Sequence, residues 1–314
     1  MTLVWMFPGQ SSRYPGMIDK LAALDPANQA TLDQASELLG RDLGAHYQAD
    51  NEAAYGRNRD VQIGVFLANH MFLTVLEQAG LVAEASLGLS LGEWNHLVHI
   101  GALDFPQALQ AVEQRGEAYD AGPAGAMASV FPIALDELQE VCERVKDVGV
   151  LEVVNLNSPR QQVLSGETAA LDKALSILEE DFYCEAVIIE RQVPMHCSTF
   201  APVGQGFRET LSTLTFAEPK HPYLPNRLGC FEEQPDFVEL LSTHVHRPVF
   251  WQRSIDFVLD RWPDATLVEV GPKKVLTNLL DRKWHKGVDK HHTDVSDDLG
   301  PHLSALIDTL RTRT

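Results

Sequence analysis

The chain has 314 residues, 45% hydrophobic, with 25 basic and 44 acidic side chains for a formal net charge of −19. That length suits a large domain carrying a smaller one, and the acidic balance excludes a nucleic-acid partner, whose phosphates demand a basic footprint. No apolar run reaches the ~18 residues of a membrane span, and the four cysteines (Cys142, Cys184, Cys197, Cys230) form no C-x-x-C pair and no disulfide framework.

Met1 to Phe7 lacks a basic leader and reads as a first buried strand, closed by Pro8-Gly9. With the cysteine usage, this predicts a cytoplasmic protein. Residues 10–17 read as loop, and 28–48 and 61–79 as helices; Val61, Val65, Phe66, Met71, Phe72 and Val75 make the apolar face of the second. A short apolar stretch (Leu81, Val82, Ala85, Leu87) leads into Gly88-Leu89-Ser90-Leu91-Gly92-Glu93, and a helix over 105–121 carries Gln114-Arg115-Gly116. From Ala126 the order becomes strand 126–133, helix 135–146, strands 150–155 and 162–165, helix 167–178, strand 184–189. That is the βαββαβ order of a ferredoxin-like unit. The predicted organisation is α/β: a catalytic body of residues 1–123 and 193–314 with a parallel sheet, and an inserted ferredoxin-like subdomain at 124–192. Helices near 235–243 and 252–260 and a buried strand, Thr266–Val270, complete the body, and His291 and His292 read as part of a polar tail.

Gly88-x-Ser90-x-Gly92 has the G-x-S-x-G pattern of a tight strand-to-helix turn that lifts a serine hydroxyl clear of its neighbours. Ser90 would sit at a helix N-terminus, where backbone N–H groups favour a developing negative charge. A plain N-cap serine is the alternative. A serine nucleophile needs a base. Of the twelve histidines, His196 stands out because it follows Val193-Pro194 where the insert rejoins the body; a structural histidine is the alternative. His96 and His99 lie on the helix after the turn. Oxyanion stabilisation needs two N–H groups, one from Leu91 and one from a loop such as that of Gln10. Arg115 lies in a largely uncharged helix and would grip a carboxylate bidentately, or else pair with Glu113 or Glu117. There is no H-E-x-x-H, no Cys/His cluster, no Rossmann fingerprint and no Walker loop, so no metal and no bound cofactor are expected. Trp94 and Trp251 read as core.

Seven motifs then fall together in order: Phe7-Pro8-Gly9-Gln10, Gly88-x-Ser90-x-Gly92-Glu93, Gln114-Arg115-Gly116, Gly125-Ala126-Met127-Ala128, Asn155-x-Asn157-Ser158-Pro159, Val193-Pro194-x-His196-Cys197 and Glu269-Val270-Gly271-Pro272. Across nearly the whole chain they resemble the malonyl-CoA:acyl carrier protein transacylases, a family that includes acyltransferase domains of polyketide synthases. The resemblance implies an α/β-hydrolase-like body with a ferredoxin-like insert. It implies Ser90 as the acylated nucleophile, His196 as its base, and Gln10 and Leu91 as oxyanion donors. It implies Arg115 as the ligand of the malonyl carboxylate, Gln62 as a pocket residue, and His244 as the residue whose carbonyl orients the catalytic histidine.

Two positions depart from the family: Leu89 stands where it usually has His, and Met195 where it usually has Ser or Phe. With Tyr119 and Phe200 where methionine is common, the acyl pocket is expected to be more apolar and differently shaped. The implied function is transfer of malonyl from CoA to the phosphopantetheine thiol of an acyl carrier protein, acting in trans in fatty acid or polyketide assembly. The partners are the CoA thioester and the carrier, with no nucleic acid and no membrane. The alternatives are transfer of a more apolar acyl group, hydrolysis of acyl-carrier thioesters, or a silent carrier-binding module. Arg191, Arg247, Lys273, Lys274 and Arg282 are the basic side chains expected to meet an acidic carrier.

Overall fold

A computed structural model describes residues 2–280, 283–295 and 298–312. Arg282 lies outside the described residues. The described strands are β1 (Leu3–Phe7), β2 (Ala85–Gly88), β3 (Ala126–Phe131), β4 (Leu151–Ser158), β5 (Gln161–Gly166), β6 (Glu185–Glu190), β7 (Thr266–Glu269) and β8 (Asp289–His292). They form two four-stranded sheets, and the chain divides into two compact units.

The first unit comprises Met1–Glu117, Thr215–Leu224 and Val258–Thr314. Its sheet is parallel throughout, in the order β2-β1-β7-β8. β1, β2 and β7 are completely buried, which explains their continuous apolar reading. The helix Asn58–Gln78 is buried around most of its circumference, including Asn58, Asp60, Gln62 and Asn69. The helix expected over 28–48 is two helices, Pro26–Leu39 and Leu43–His46. Gly40 caps the first in the left-handed region at φ 61°, and the Asp42 carboxylate accepts from Ala45 N at 2.8 Å to start the second. His291 and His292 are not a polar tail. They belong to the edge strand β8, where Val268 pairs with His291 and Glu269 with His292. Helices Met17–Ala22 and Leu299–Arg311 are further elements, in stretches to which the sequence assigns no element beyond the loop over residues 10–17.

The second unit comprises Ala118–Leu214 and Pro225–Phe257. Its antiparallel sheet has the order β4-β5-β3-β6, the strand order of a ferredoxin-like βαββαβ unit. Ala126, Ala128, Val130 and Leu164 on the strands join Leu138, Val141, Leu171 and Ala174 on the helices Leu135–Val145 and Thr168–Ile177 in one apolar cluster. The unit is larger than the 124–192 segment read from sequence. Val249 explains part of this: it donates to Val154 O at 2.8 Å and accepts from Leu156 N at 3.0 Å, extending the sheet beyond β4.

Candidate active site

The site is built first on the turn between β2 and the helix Gly92–His99. A Cβ on Gly88 would lie 2.1 Å from the Gly92 carbonyl, and one on Gly92 would lie 2.0 Å from Phe7 O. No side chain fits at either position, so both glycines are sterically required. The turn drives Ser90 to φ 52°, a left-handed conformation that costs a non-glycine residue energy and collects at functional sites. Leu89 N continues the strand pairing by donating to Phe7 O at 2.9 Å, which brings the end of β1 against the turn. There a Cβ on Gly9 would lie 2.8 Å from Leu89 O and 3.9 Å from Ser90 Cβ. Among the described residues, no backbone carbonyl accepts from the N–H of Gln10 or of Leu91.

Arg115 approaches the same serine. Its side chain is 2% exposed. Nη1 donates to Gln62 Oε1 at 2.7 Å, and Nη2 stands 3.5 Å from Ser90 Oγ, at the outer limit of a hydrogen bond. The two carboxylates that sequence alone offered Arg115 are taken by other arginines: Glu113 lies 3.7 Å from Arg41 and Glu117 lies 3.6 Å from Arg59. Gly116 lets the helix Phe105–Asp120 come close enough, since a Cβ there would sit 2.4 Å from Arg59 Cα. Gln62 is fully buried, and among the described residues its Nε2 has no hydrogen-bond partner. Leu89 is 7% exposed and supplies an apolar surface on the turn itself.

His196, in the second unit, is also strained, at φ 62°, and also buried. Its backbone N–H donates to Val245 O at 3.0 Å. Its Nδ1 lies 2.7 Å from the His244 carbonyl, and the two rings stack at 4.9 Å. A carbonyl can only accept, so Nδ1 carries the proton and Nε2 of the neutral ring holds the basic lone pair. Gly125 seats the preceding segment, because a Cβ there would press on Pro194 at 2.8 Å. Met195 is buried beside His196. Tyr119 and Phe200 meet edge to face at 5.1 Å, and Gly122 makes room for the Phe200 ring. Trp94 and Trp251 are each 1% exposed and belong to the core.

Residues 4–302 match the family model of the acyl transferase domain. The chain belongs to the acyl transferase family. It is 32% identical over 283 residues to the malonyl CoA-acyl carrier protein transacylase of Escherichia coli (strain K12), covering 88% of this chain and 91% of that one. Among solved structures, the malonyl CoA-acyl carrier protein transacylase of Clostridium perfringens superposes with a TM-score of 0.90 at 28% identity, covering 100% of this chain and 98% of that one. A malonyl-transacylase solved in complex with its type II polyketide synthase acyl carrier protein gives 0.89 at 28% identity, covering 98% and 100%.

This acyl transferase also uses polar residues that the sequence reading passed over. Asn69 Nδ2 donates to Pro8 O at 3.0 Å and to Asn95 Oδ1 at 2.9 Å, and Asn95 Nδ2 donates to Phe66 O at 3.0 Å. These two buried amides tie the Pro8–Gln10 turn to both helices that flank Ser90. Leu224 N donates to His96 Nε2 at 3.0 Å, so the His96 proton sits on Nδ1, 2.7 Å from Ser86 Oγ. Ser86 in turn lies 2.9 Å from His99 Nδ1. Burial takes His96 down to about 3 and His99 to about 4, so both stay neutral and serve as a scaffold beneath the turn. The signal available in the sequence is an asparagine in the middle of each helix, Asn69 between Ala68 and His70 and Asn95 between Trp94 and His96. Among the described residues, no group of three or more His, Cys, Asp or Glu side chains could hold a metal ion, and no helix is long and apolar enough to cross a membrane.

Proposed function

We propose that the protein transfers malonyl from CoA to the phosphopantetheine thiol of an acyl carrier protein through an ester on Ser90. In the first half-reaction Ser90 Oγ attacks the thioester carbonyl while His196 Nε2 takes its proton. The tetrahedral oxyanion is held by the N–H groups of Gln10 and Leu91. The C–S bond then breaks, and His196 returns the proton to the departing CoA thiolate. In the second half the carrier thiol gives its proton to His196 and attacks the ester, and Ser90 recovers its hydrogen. A carbonyl partner, supplied by His244, orients His196 without a third acidic residue.

The observation that carries the malonyl assignment is the buried guanidinium of Arg115, steadied by Gln62 and 3.5 Å from Ser90 Oγ. A cation there is complementary to the free carboxylate of malonate and has no counterpart in a monocarboxylic acyl group. Leu89, Met195, Tyr119 and Phe200 shape the apolar remainder of the acyl site. The sequence similarity to transacylases that carry malonyl CoA and acyl carrier protein in their names supports the same reading. All four cysteines are free, which fits a reducing cytoplasm. Residues 124–192 are proposed as an insertion into a body of 1–123 and 193–314, since the four strands β3 to β6 pair with one another within those bounds.

The test is intact-mass analysis after exposure to equimolar malonyl-CoA and acetyl-CoA. The proposal expects a malonyl adduct in large excess. Preferential acetyl loading would overturn the malonyl assignment, and rapid loss of the adduct to water without a carrier would favour a hydrolase.

A further inference from the structure

The parallel sheet works as a ruler. All four strands run the same way, so their C-terminal ends share one edge, the usual place for ligands in such sheets. Ser90 follows β2, the turn of Gln10 to Arg13 follows β1, Gly271 to Lys274 follows β7, and Thr293-Asp294 follows β8. At about 4.8 Å per strand, the β7 and β8 ends stand about 10–15 Å from the nucleophile's strand. A pantetheine arm has roughly the backbone length of four to five extended residues, about 15 Å. An arm with its sulfur at Ser90 is therefore long enough to reach this region, and in both CoA and a carrier protein it ends in a phosphate ester.

The β7 end carries two lysines and is held in place by the β8 end. Lys273 adopts φ 60°, the left-handed region, and is exposed. A buried carboxylate fixes that conformation: Asp294 Oδ2 accepts from Lys273 N at 2.8 Å. The other oxygen of Asp294 is occupied by Lys20 Nζ at 2.8 Å and by the Tyr14 hydroxyl at 3.2 Å. Lys20 thus neutralises Asp294, and among the described residues no carboxylate lies within ion-pair distance of Arg13, Lys273 or Lys274. Arg13 is itself tethered, donating from Nη1 to Gln10 O at 3.1 Å. A cavity of about 580 Å³ opens beside Lys273, lined by Tyr14, Lys273, Lys274, His292 and the Asp294 already paired with Lys20, among others; Arg13 lies outside this lining, close enough to Lys273 for its charge to be felt there. Burial first, and then the neighbouring Arg13 charge, hold the Lys273 ammonium below its usual range, against the opposing pull of Asp294. On a chain of net charge −19, four cations (Arg13, Lys20, Lys273 and Lys274) around the single carboxylate of Asp294 leave a local positive excess that suits an anion.

We infer that Arg13 and Lys273, with Lys274 at the cavity wall, form a subsite for the phosphate ester that terminates the pantetheine arm of the acyl donor and acceptor. The inference rests on the transferase reading above. It predicts that the protein recognises its thioesters at both ends, by carboxylate at Arg115 and by phosphate at the β7 end.

The test uses the double variant Arg13→Gln/Lys273→Gly. Glycine accepts φ 60° without strain, so the loop keeps its path. Acylation is measured with malonyl-CoA and with malonyl-pantetheine, which lacks every phosphate; deacylation is measured with a holo carrier protein and with free pantetheine. The expected result is a fall of about tenfold in the kcat/KM ratio of malonyl-CoA to malonyl-pantetheine, the scale of one charged hydrogen bond. The single variant Lys273→Glu should lower that ratio at least as far by itself. A fall in the carrier-to-pantetheine ratio as well shows that the subsite reads the phosphate of both substrates, and a fall in the CoA ratio alone assigns it to the donor. An unchanged CoA ratio, or a loss confined to the carrier, would overturn the inference, the latter in favour of a protein-surface contact. Failure of the wild-type protein to load malonyl from either thioester would instead refute the transferase reading.

Discussion

Replacing Arg115 by alanine is the most informative single change. The native guanidinium is 2% exposed and shares one donor with Gln62 Oε1, leaving its other edge toward Ser90. A bound malonyl carboxylate would form two charge-assisted hydrogen bonds there, each contributing about 1.5–3 kcal/mol net of the water hydrogen bonds exchanged. Taking the lower end for both bonds gives a selectivity of about 3 kcal/mol, or about 100-fold at 1.4 kcal/mol per factor of ten. The apolar surface of Leu89 pulls the other way, but burying one such side chain contributes only about 1.5–3 kcal/mol and acts on both substrates. In Arg115→Ala the malonyl-to-acetyl ratio of single-turnover acylation rates, read by intact mass, should therefore fall about 100-fold, chiefly through loss of malonyl. Truncation also strands Gln62 Oε1, so a stability loss of about 1–3 kcal/mol is expected. Arg115→Lys keeps the charge without the fork and should fall between the two proteins. A ratio within threefold of wild type in Arg115→Ala would refute the carboxylate role.

Further expectations follow the same logic. His196→Ala should slow acylation by at least ~100-fold, the scale of a lost general base, whereas His99→Ala should act mainly on stability; stopped-flow acylation of both variants ranks them, and a larger rate effect at His99 would identify a different base. Gly92→Ala should abolish soluble folded protein, because its Cβ would meet Phe7 O at 2.0 Å; a circular dichroism melt like that of wild type would contradict the required turn. Burial depresses His70, His96 and His99 to about 4, 3 and 4, against about 6.5 unfolded. Stability is thus full above pH 6.5 and falls below it, by up to about 1.4 kcal/mol per pH unit for each histidine. Glu269, lifted by burial to about 7, opposes one of them between pH 7 and 4.5, so a urea midpoint should still drop from pH 7 to 5; a flat profile would contradict it. Carrier KM should rise with salt through exposed cations such as Arg191 and Arg247, and a salt-independent KM would exclude an electrostatic approach.

Much of the fold was legible because steric demands leave marks in the sequence. The glycines of the Ser90 turn are dictated by backbone contacts near 2 Å, and no other residue can stand there. The βαββαβ order was readable because each element changes the period of its apolar residues, and Arg115 because it is the one cation in a helix whose other charges are acidic. The polar edge strand β8 was not, since Asp289-Lys290-His291-His292 carries no alternation and is ordered by pairing with β7. The helix Ala201–Leu211 was missed because Pro202, Gly204 and Gly206 read as breakers. Gly204 is there for tertiary reasons, as a Cβ would lie 2.5 Å from His246 Nδ1. Within the site, Gln10, Gln62, Ser90 and Arg115 were named from their motifs, whereas Asn69, Asn95 and Ser86 act through neighbours that only the folded chain supplies.

The central claim is that malonyl passes through an ester on Ser90. The direct measurement is peptide mapping of the protein quenched in acid after exposure to malonyl-CoA, followed by addition of a holo carrier protein to a parallel sample. The account predicts one malonyl group on the peptide containing Ser90, none in Ser90→Ala, and its transfer to the carrier thiol. A malonyl group on another residue such as Cys197, or carrier loading by Ser90→Ala at the wild-type rate, would contradict it.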